Sequence, residues 1–136
     1  MSRALYRISA VLILLFDVGH TVGYPWSDPA WRVDLTAMQS TRFELFGFTR
    51  TYWDFYRGFG LFVSVFLLLA AVLAWQLGEA LPARAQAVRV VAWALTLCFA
   101  AVAVLSWTYF FAIPIAFSVA ITVCLAAATW RSTAGA

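Results

Sequence analysis

Four apolar stretches, residues 4–23, 52–77, 88–107 and 113–130, govern what this chain can fold into. Each is close to the run of about 20 residues, rising about 1.5 Å apiece, that carries a helix across the hydrocarbon core of a bilayer. In that solvent every backbone N–H and C=O must be bonded within the segment, which selects helices. The sequence therefore reads as all-α: an integral membrane four-helix bundle, one membrane domain over residues 1–136. Composition agrees, because 65% of the 136 residues are hydrophobic and 11% are charged. Soluble domains run at about 45–50% apolar and about 25% charged. A disordered tail, a disulfide scaffold and a nucleic-acid domain all need polarity that is missing here.

The nine basic residues, behind a net charge of +3, are all arginine and lie scattered along the chain. They read as membrane-flanking anchors rather than a nucleic-acid patch. Arg3 and Arg7 before the apolar residues 8–16 imitate a signal peptide, but no small-x-small cleavage site follows. An uncleaved first span is expected. With the N-terminus in the cytoplasm, Arg3, Arg7, Arg84, Arg89 and Arg131 face inward, while Arg32, Arg42, Arg50 and Arg57 face outward. The five inward arginines sit tightly against span ends, which favours a cytoplasmic N-terminus. Cys98 and Cys124 fall inside apolar stretches and read as buried small hydrophobes.

The loop over residues 24–51 is long enough to be a structured lid rather than a tether. Asp28-Pro29 has the form of a helix start, and Trp31, Leu35 and Met38 recur at i, i+4 and i+7. Together they predict a short amphipathic helix in the membrane interface. Thr41-Arg-Phe-Glu44 and Thr51-Tyr-Trp-Asp54 each fit a capping box, the second opening span two. Spans three and four are joined by residues 108–112, a tight antiparallel connection, with Pro114 in the first turn of span four.

Ionisable groups inside spans are costly and mark candidate sites. Asp17 and His20 share one face of span one at i, i+3, with Tyr24 a turn further on. Asp54 and Arg57 open span two on the same side, where Ser106 and Tyr109 close span three and Glu44 enters from the lid. In the functional reading, His20 carries a proton, Asp17 orients it, and Arg57, fixed by Asp54, holds a polar or anionic head group. Tyr24, Glu44, Ser106 and Tyr109 complete the ligand-binding set. The structural reading makes Asp17 and His20 an interhelical pair, Asp54 and Glu44 caps, and the glycines packing positions. One histidine and a single Asp17-x-x-His20 pair argue against a metal or haem site, so no cofactor is expected.

With Asp17-Val-Gly-His20-Thr in span one and Tyr52-Trp-Asp-Phe-Tyr-Arg-Gly-Phe-Gly60 opening span two, the chain resembles the small bacterial four-helix membrane proteins described as DoxX-like. A more distant similarity is to the EXPERA fold of sterol isomerases and sigma-2-type receptors. That likeness implies intramembrane acidic and histidine residues that bind or isomerise amphiphiles. Spans three and four carry no Asp or Glu, unlike an isomerase of that group. The function expected is binding of a membrane lipid or amphipathic small molecule in one half of the bundle, extended by acid–base, isomerase-like chemistry. The alternatives are an accessory subunit beside a membrane protein partner and a homo-oligomeric channel or carrier.

Overall fold

Apolar runs with few charges become helices wherever lipid leaves the backbone no other partner, and four such helices are present. They are α1 (Ser2–Gly23), α3 (Tyr52–Ala80), α4 (Gln86–Tyr109) and α5 (Ala112–Ala134). A short α2 (Leu35–Ser40) and a two-stranded hairpin, β1 (Arg42–Leu45) and β2 (Phe48–Thr51), lie between α1 and α3. This computed structural model describes residues 2–24, 26, 34–80 and 86–134. The protein is helical, and among the described residues four helices are long and apolar enough to cross a membrane. Two compact units divide the chain: residues 1–16 with 67–136, and residues 17–66.

In the first unit, segments of all four long helices surround one core. Tyr6, Ala10 and Ile13 of α1 meet Ala71 and Ala74 of α3, Leu95 and Phe99 of α4, and Ile121 and Leu125 of α5. The three- and four-residue spacing puts each set on one helix face. Small and hydroxyl-bearing side chains lie inside, including Ser9, Thr96, Ser118 and Thr129, while Leu69, Trp107 and Trp130 stand outward. That distribution suits lipid as the solvent, where close backbone approach and internal hydrogen bonds replace hydrophobic burial as the packing force. Ser9, Thr96 and Ser118 bond back to carbonyls one turn earlier. The Tyr6 hydroxyl lies 2.9 Å from Thr129 Oγ1, and Thr96 Oγ1 lies 3.3 Å from it, so Thr129 ties α1 and α4 to α5. Glu79 pairs with Arg7 at 2.6 Å and Arg3 at 3.5 Å. Only Phe110 and Phe111 separate α4 from α5, as a tight connection requires, and Pro114 sits in the first turn of α5.

The second unit departs from expectation in the lid. The helix there begins at Leu35, and Asp34 caps it by accepting the Ala37 N–H at 3.0 Å. The expected start at Asp28-Pro29, and Trp31 with it, lie outside the described residues. Residues 41–44 do not open a helix, so Glu44 is not a capping residue. They form strand β1 and the residue before it, paired antiparallel with β2 so that Arg42 faces Thr51 and Leu45 faces Phe48. The physical reason lies downstream: Phe46 (φ 51) and Gly47 (φ 83) make a two-residue turn with positive φ at both positions. Such a turn matches the twist of two antiparallel strands and closes a hairpin. The second capping box forms as read. Thr51 N–H donates to Asp54 Oδ2 at 2.8 Å, and Asp54 N–H donates to Thr51 Oγ1 at 3.1 Å.

Candidate functional site

The polar residues of α1 and α3 that lie within the second unit meet side by side. On α1, Asp17, His20, Thr21 and the following Tyr24 fall on one face, at i, i+3, i+4 and i+7. On α3, Tyr56, Gly60 and Ser64 recur every four residues and present the matching face. Gly60 sets how close these faces come. An added Cβ there would overlap Cδ1 and Cε1 of the Tyr24 ring, so the ring lies directly on the bare backbone of α3.

His20 Nε2 is 3.0 Å from the Gly60 carbonyl oxygen. A carbonyl only accepts, so this nitrogen carries the hydrogen, and in neutral His20 the lone pair resides on Nδ1. The imidazole stacks on Tyr24 at 4.9 Å between centroids, Tyr24 meets Tyr56 at 4.5 Å, and Tyr56 stacks on Trp53 at 5.2 Å. Four rings thus form one continuous array. Burial, and then the neighbouring Tyr56 phenol that hydrogen-bonds to it, hold the Tyr24 phenol well above the ordinary tyrosine range.

Asp17 is buried, 8% exposed. It does not orient His20; its Oδ1 meets the Thr21 hydroxyl at 3.2 Å, and Thr21 lies 2.7 Å from Ser64 Oγ. Ser64 in turn is 3.3 Å from the Gly60 carbonyl that His20 uses. Each hydroxyl has one proton, which gives the chain two consistent directions. With Asp17 ionised, Ser64 donates to Thr21 and Thr21 to Asp17. With Asp17 protonated, the carboxyl donates to Thr21, Thr21 to Ser64, and Ser64 to Gly60. The two titratable groups expected as a direct pair are therefore linked through two hydroxyls and one carbonyl.

Among the described residues Asp54 makes no ion pair with Arg57, whose charge reaches its carboxylate only from farther off. Its carboxylate is occupied by Thr51, while the Arg57 guanidinium lies 5.0 Å over the Trp26 ring. Arg57 Nε is buried and, among the described residues, has no hydrogen-bond partner. Glu44 stands on the exposed face of the hairpin opposite Thr49. Ser106, buried in α4, and Tyr109, exposed at its end, belong to the first unit. Among the described residues, no three His, Cys, Asp or Glu side chains come together as metal ligands would.

The reading from sequence missed Thr21, Ser64, Tyr56 and Trp53, and took Gly60 as a packing glycine. Thr21 was detectable, since it lies one turn from Asp17 within the same span. Ser64 carried no local signal; only its place opposite Thr21 gives it a role. No protein-family model, curated protein or solved structure matches the chain.

Proposed function

We propose that residues 17–66 bind a lipid-like, amphipathic small molecule whose polar head engages Arg57, with His20 placed for acid–base, isomerase-like chemistry on it. The observation that carries this reading is the Arg57 side chain. An N–H buried without an acceptor costs about 1–3 kcal/mol, and more on a charged group. A carboxylate, phosphate or carbonyl head supplies an acceptor that no described residue provides, and Trp26 gives the guanidinium a flat support. His20 adds a lone pair at Nδ1, held by the Nε2–H bond to Gly60, at the end of an aromatic array suited to an apolar body. In this assignment Asp17 acts through the Thr21–Ser64 hydroxyls and not by touching the imidazole.

The accessory-subunit reading draws on a different observation. In the first unit, Ala10 and Ala71 leave a furrow between α1 and α3 flanked by Leu14, Leu68, Val72 and Trp75. Small residues in such a furrow let a neighbouring helix approach closely. Arg3, Arg7 and Arg131 at helix ends support a cytoplasmic N-terminus, and a bacterial inner membrane is the setting that the resemblance implies. Reporter fusions at the two termini test that orientation, since both must report the cytoplasmic side.

The decisive experiment is native mass spectrometry of protein taken gently from its own membrane. A discrete small-molecule adduct, lost in Arg57→Gln and retained in Arg42→Gln, supports the binding site. A co-purifying protein without any adduct overturns it in favour of the accessory subunit.

A further inference from the structure

We infer that the β1–β2 hairpin is a membrane-inserting wedge, whose apolar face and Phe46 tip lie in the lipid head-group layer beside α3. This stands apart from the ligand site, because it uses none of that site's residues. Alternation along paired strands places Phe43, Leu45 and Phe48, with Arg50 opposite Phe43, on one face of the hairpin and Arg42, Glu44, Thr49 and Thr51 on the other. The hairpin is thus amphipathic across its thickness, though only eight residues build its strands.

The direction of the apolar face follows from Phe43. Its ring packs on Tyr52 and Phe55 of α3, each at 5.2 Å between centroids. Phe55 leads to Phe59 at 5.8 Å, and Phe59 to Phe62 at 6.4 Å, a ladder of rings along the outside of a membrane-length helix. Side chains on one face of a pleated ribbon point the same way. Leu45 and Phe48 therefore look where Phe43 looks, along α3 toward its apolar length, and the hairpin overhangs the lipid beside it. No linker intervenes, since β2 ends at Thr51 and α3 begins at Tyr52.

The tip carries the second argument. A turn of this type takes Asn, Asp or Gly at its first position, where the backbone is left-handed. Here that position holds Phe46, at φ 51, a residue 94% exposed. An aromatic ring in disfavoured backbone, facing water, is unfavourable on two counts, and entry of the ring into lipid removes one of them. Arg50 supplies charge complementarity. It stands opposite Phe43 on the same face, with its guanidinium 5.3 Å over Phe48, so the face offers lipid phosphates a cation beside its apolar side chains.

Spin labelling tests the inference. A nitroxide is placed by Phe46→Cys, and separately by Glu44→Cys, in a chain carrying Cys98→Ala and Cys124→Ala, in nanodiscs of phosphatidylcholine and phosphatidylglycerol. Power saturation then compares access by oxygen, which concentrates in lipid, with access by a water-soluble nickel chelate. The expected result is a change of sign: position 46 favours oxygen and position 44 favours nickel. Phe48→Cys gives the same test if Phe46→Cys loses the parent's circular dichroism. Nickel access at the tip equal to that at position 44 overturns the inference, placing the hairpin in water. Shielding of the tip from both reagents also overturns it, because a protein then covers that face.

Discussion

Replacing Gly60 with alanine drives a methyl group into the Tyr24 ring, since an added Cβ meets Cδ1 and Cε1 inside van der Waals contact. The ring must move off α3, losing its stacking on His20 at 4.9 Å and on Tyr56 at 4.5 Å. An aromatic pair contributes about 0.5–1.5 kcal/mol beyond area burial, so two pairs amount to about 1–3 kcal/mol. Alanine in place of glycine within a helix returns about 1 kcal/mol. The control is Gly58→Ala, two residues away on the same helix, where an added Cβ meets nothing within 4 Å. Both variants share the helix gain, and only one loses the stacking. Gly60→Ala is therefore expected to be less stable than Gly58→Ala by about 1–3 kcal/mol in reversible unfolding from mixed micelles. A second readout follows Tyr24 directly, by NMR titration of ring-labelled tyrosine. In Gly60→Ala the phenol returns toward the ordinary value of about 10, while in Gly58→Ala it stays raised. Equal stability of the two variants, with Tyr24 titrating as in the parent, refutes the placement of that ring on the glycine.

Tyr24 also sets an alkaline limit. A phenol whose folded pKa is raised contributes stability that is fully present below the unfolded value of about 10 and is lost as pH rises through the folded one. Tyr24→Phe should flatten that alkaline decline, read as unfolding free energy against pH. Thr21→Val removes the hydroxyl that joins Asp17 to Ser64 and leaves a buried carboxyl without its partner. A loss of about 1–3 kcal/mol is expected in the same unfolding assay, with Thr21→Ser close to the parent. Asp54→Ala deletes the carboxylate that accepts from the Thr51 N–H and hydroxyl, while the backbone N–H at position 54 still reaches Thr51 Oγ1, and should loosen the start of α3. Faster amide exchange at Thr51 checks that the loosening is local.

How much of this was legible in advance varies by element. The four long helices were, because a run of apolar residues leaves the backbone one way to satisfy itself in lipid, and their observed ends fall within a few residues of those read. The Thr51–Asp54 cap was legible for the same kind of reason, its bonds closing over three residues. The Thr41–Glu44 box has an equally good local pattern and yet forms a strand. What decided it was Gly47, three residues beyond the pattern, which permits the turn that pairs Leu45 with Phe48. Two local signals competed, and pairing across the turn won.

The candidate site shows the same division more sharply. Sequence alone determined that Asp17, His20 and Tyr24 share a face, because helical periodicity is a property of one segment. It also determined that ionisable groups inside a span need partners. Which partners they take was decided only in three dimensions. His20 meets a backbone carbonyl of α3 that no side-chain pattern advertises, Asp17 meets a threonine of its own helix, and the Arg57 guanidinium lies over the Trp26 ring rather than ion-paired with Asp54. Those choices depend on the register and rotation of α3 against α1 within residues 17–66, set by one absent side chain at Gly60. Periodicity specifies a helix face, whereas helix-to-helix register is fixed by contacts between residues some forty positions apart in the chain, which local pattern does not encode.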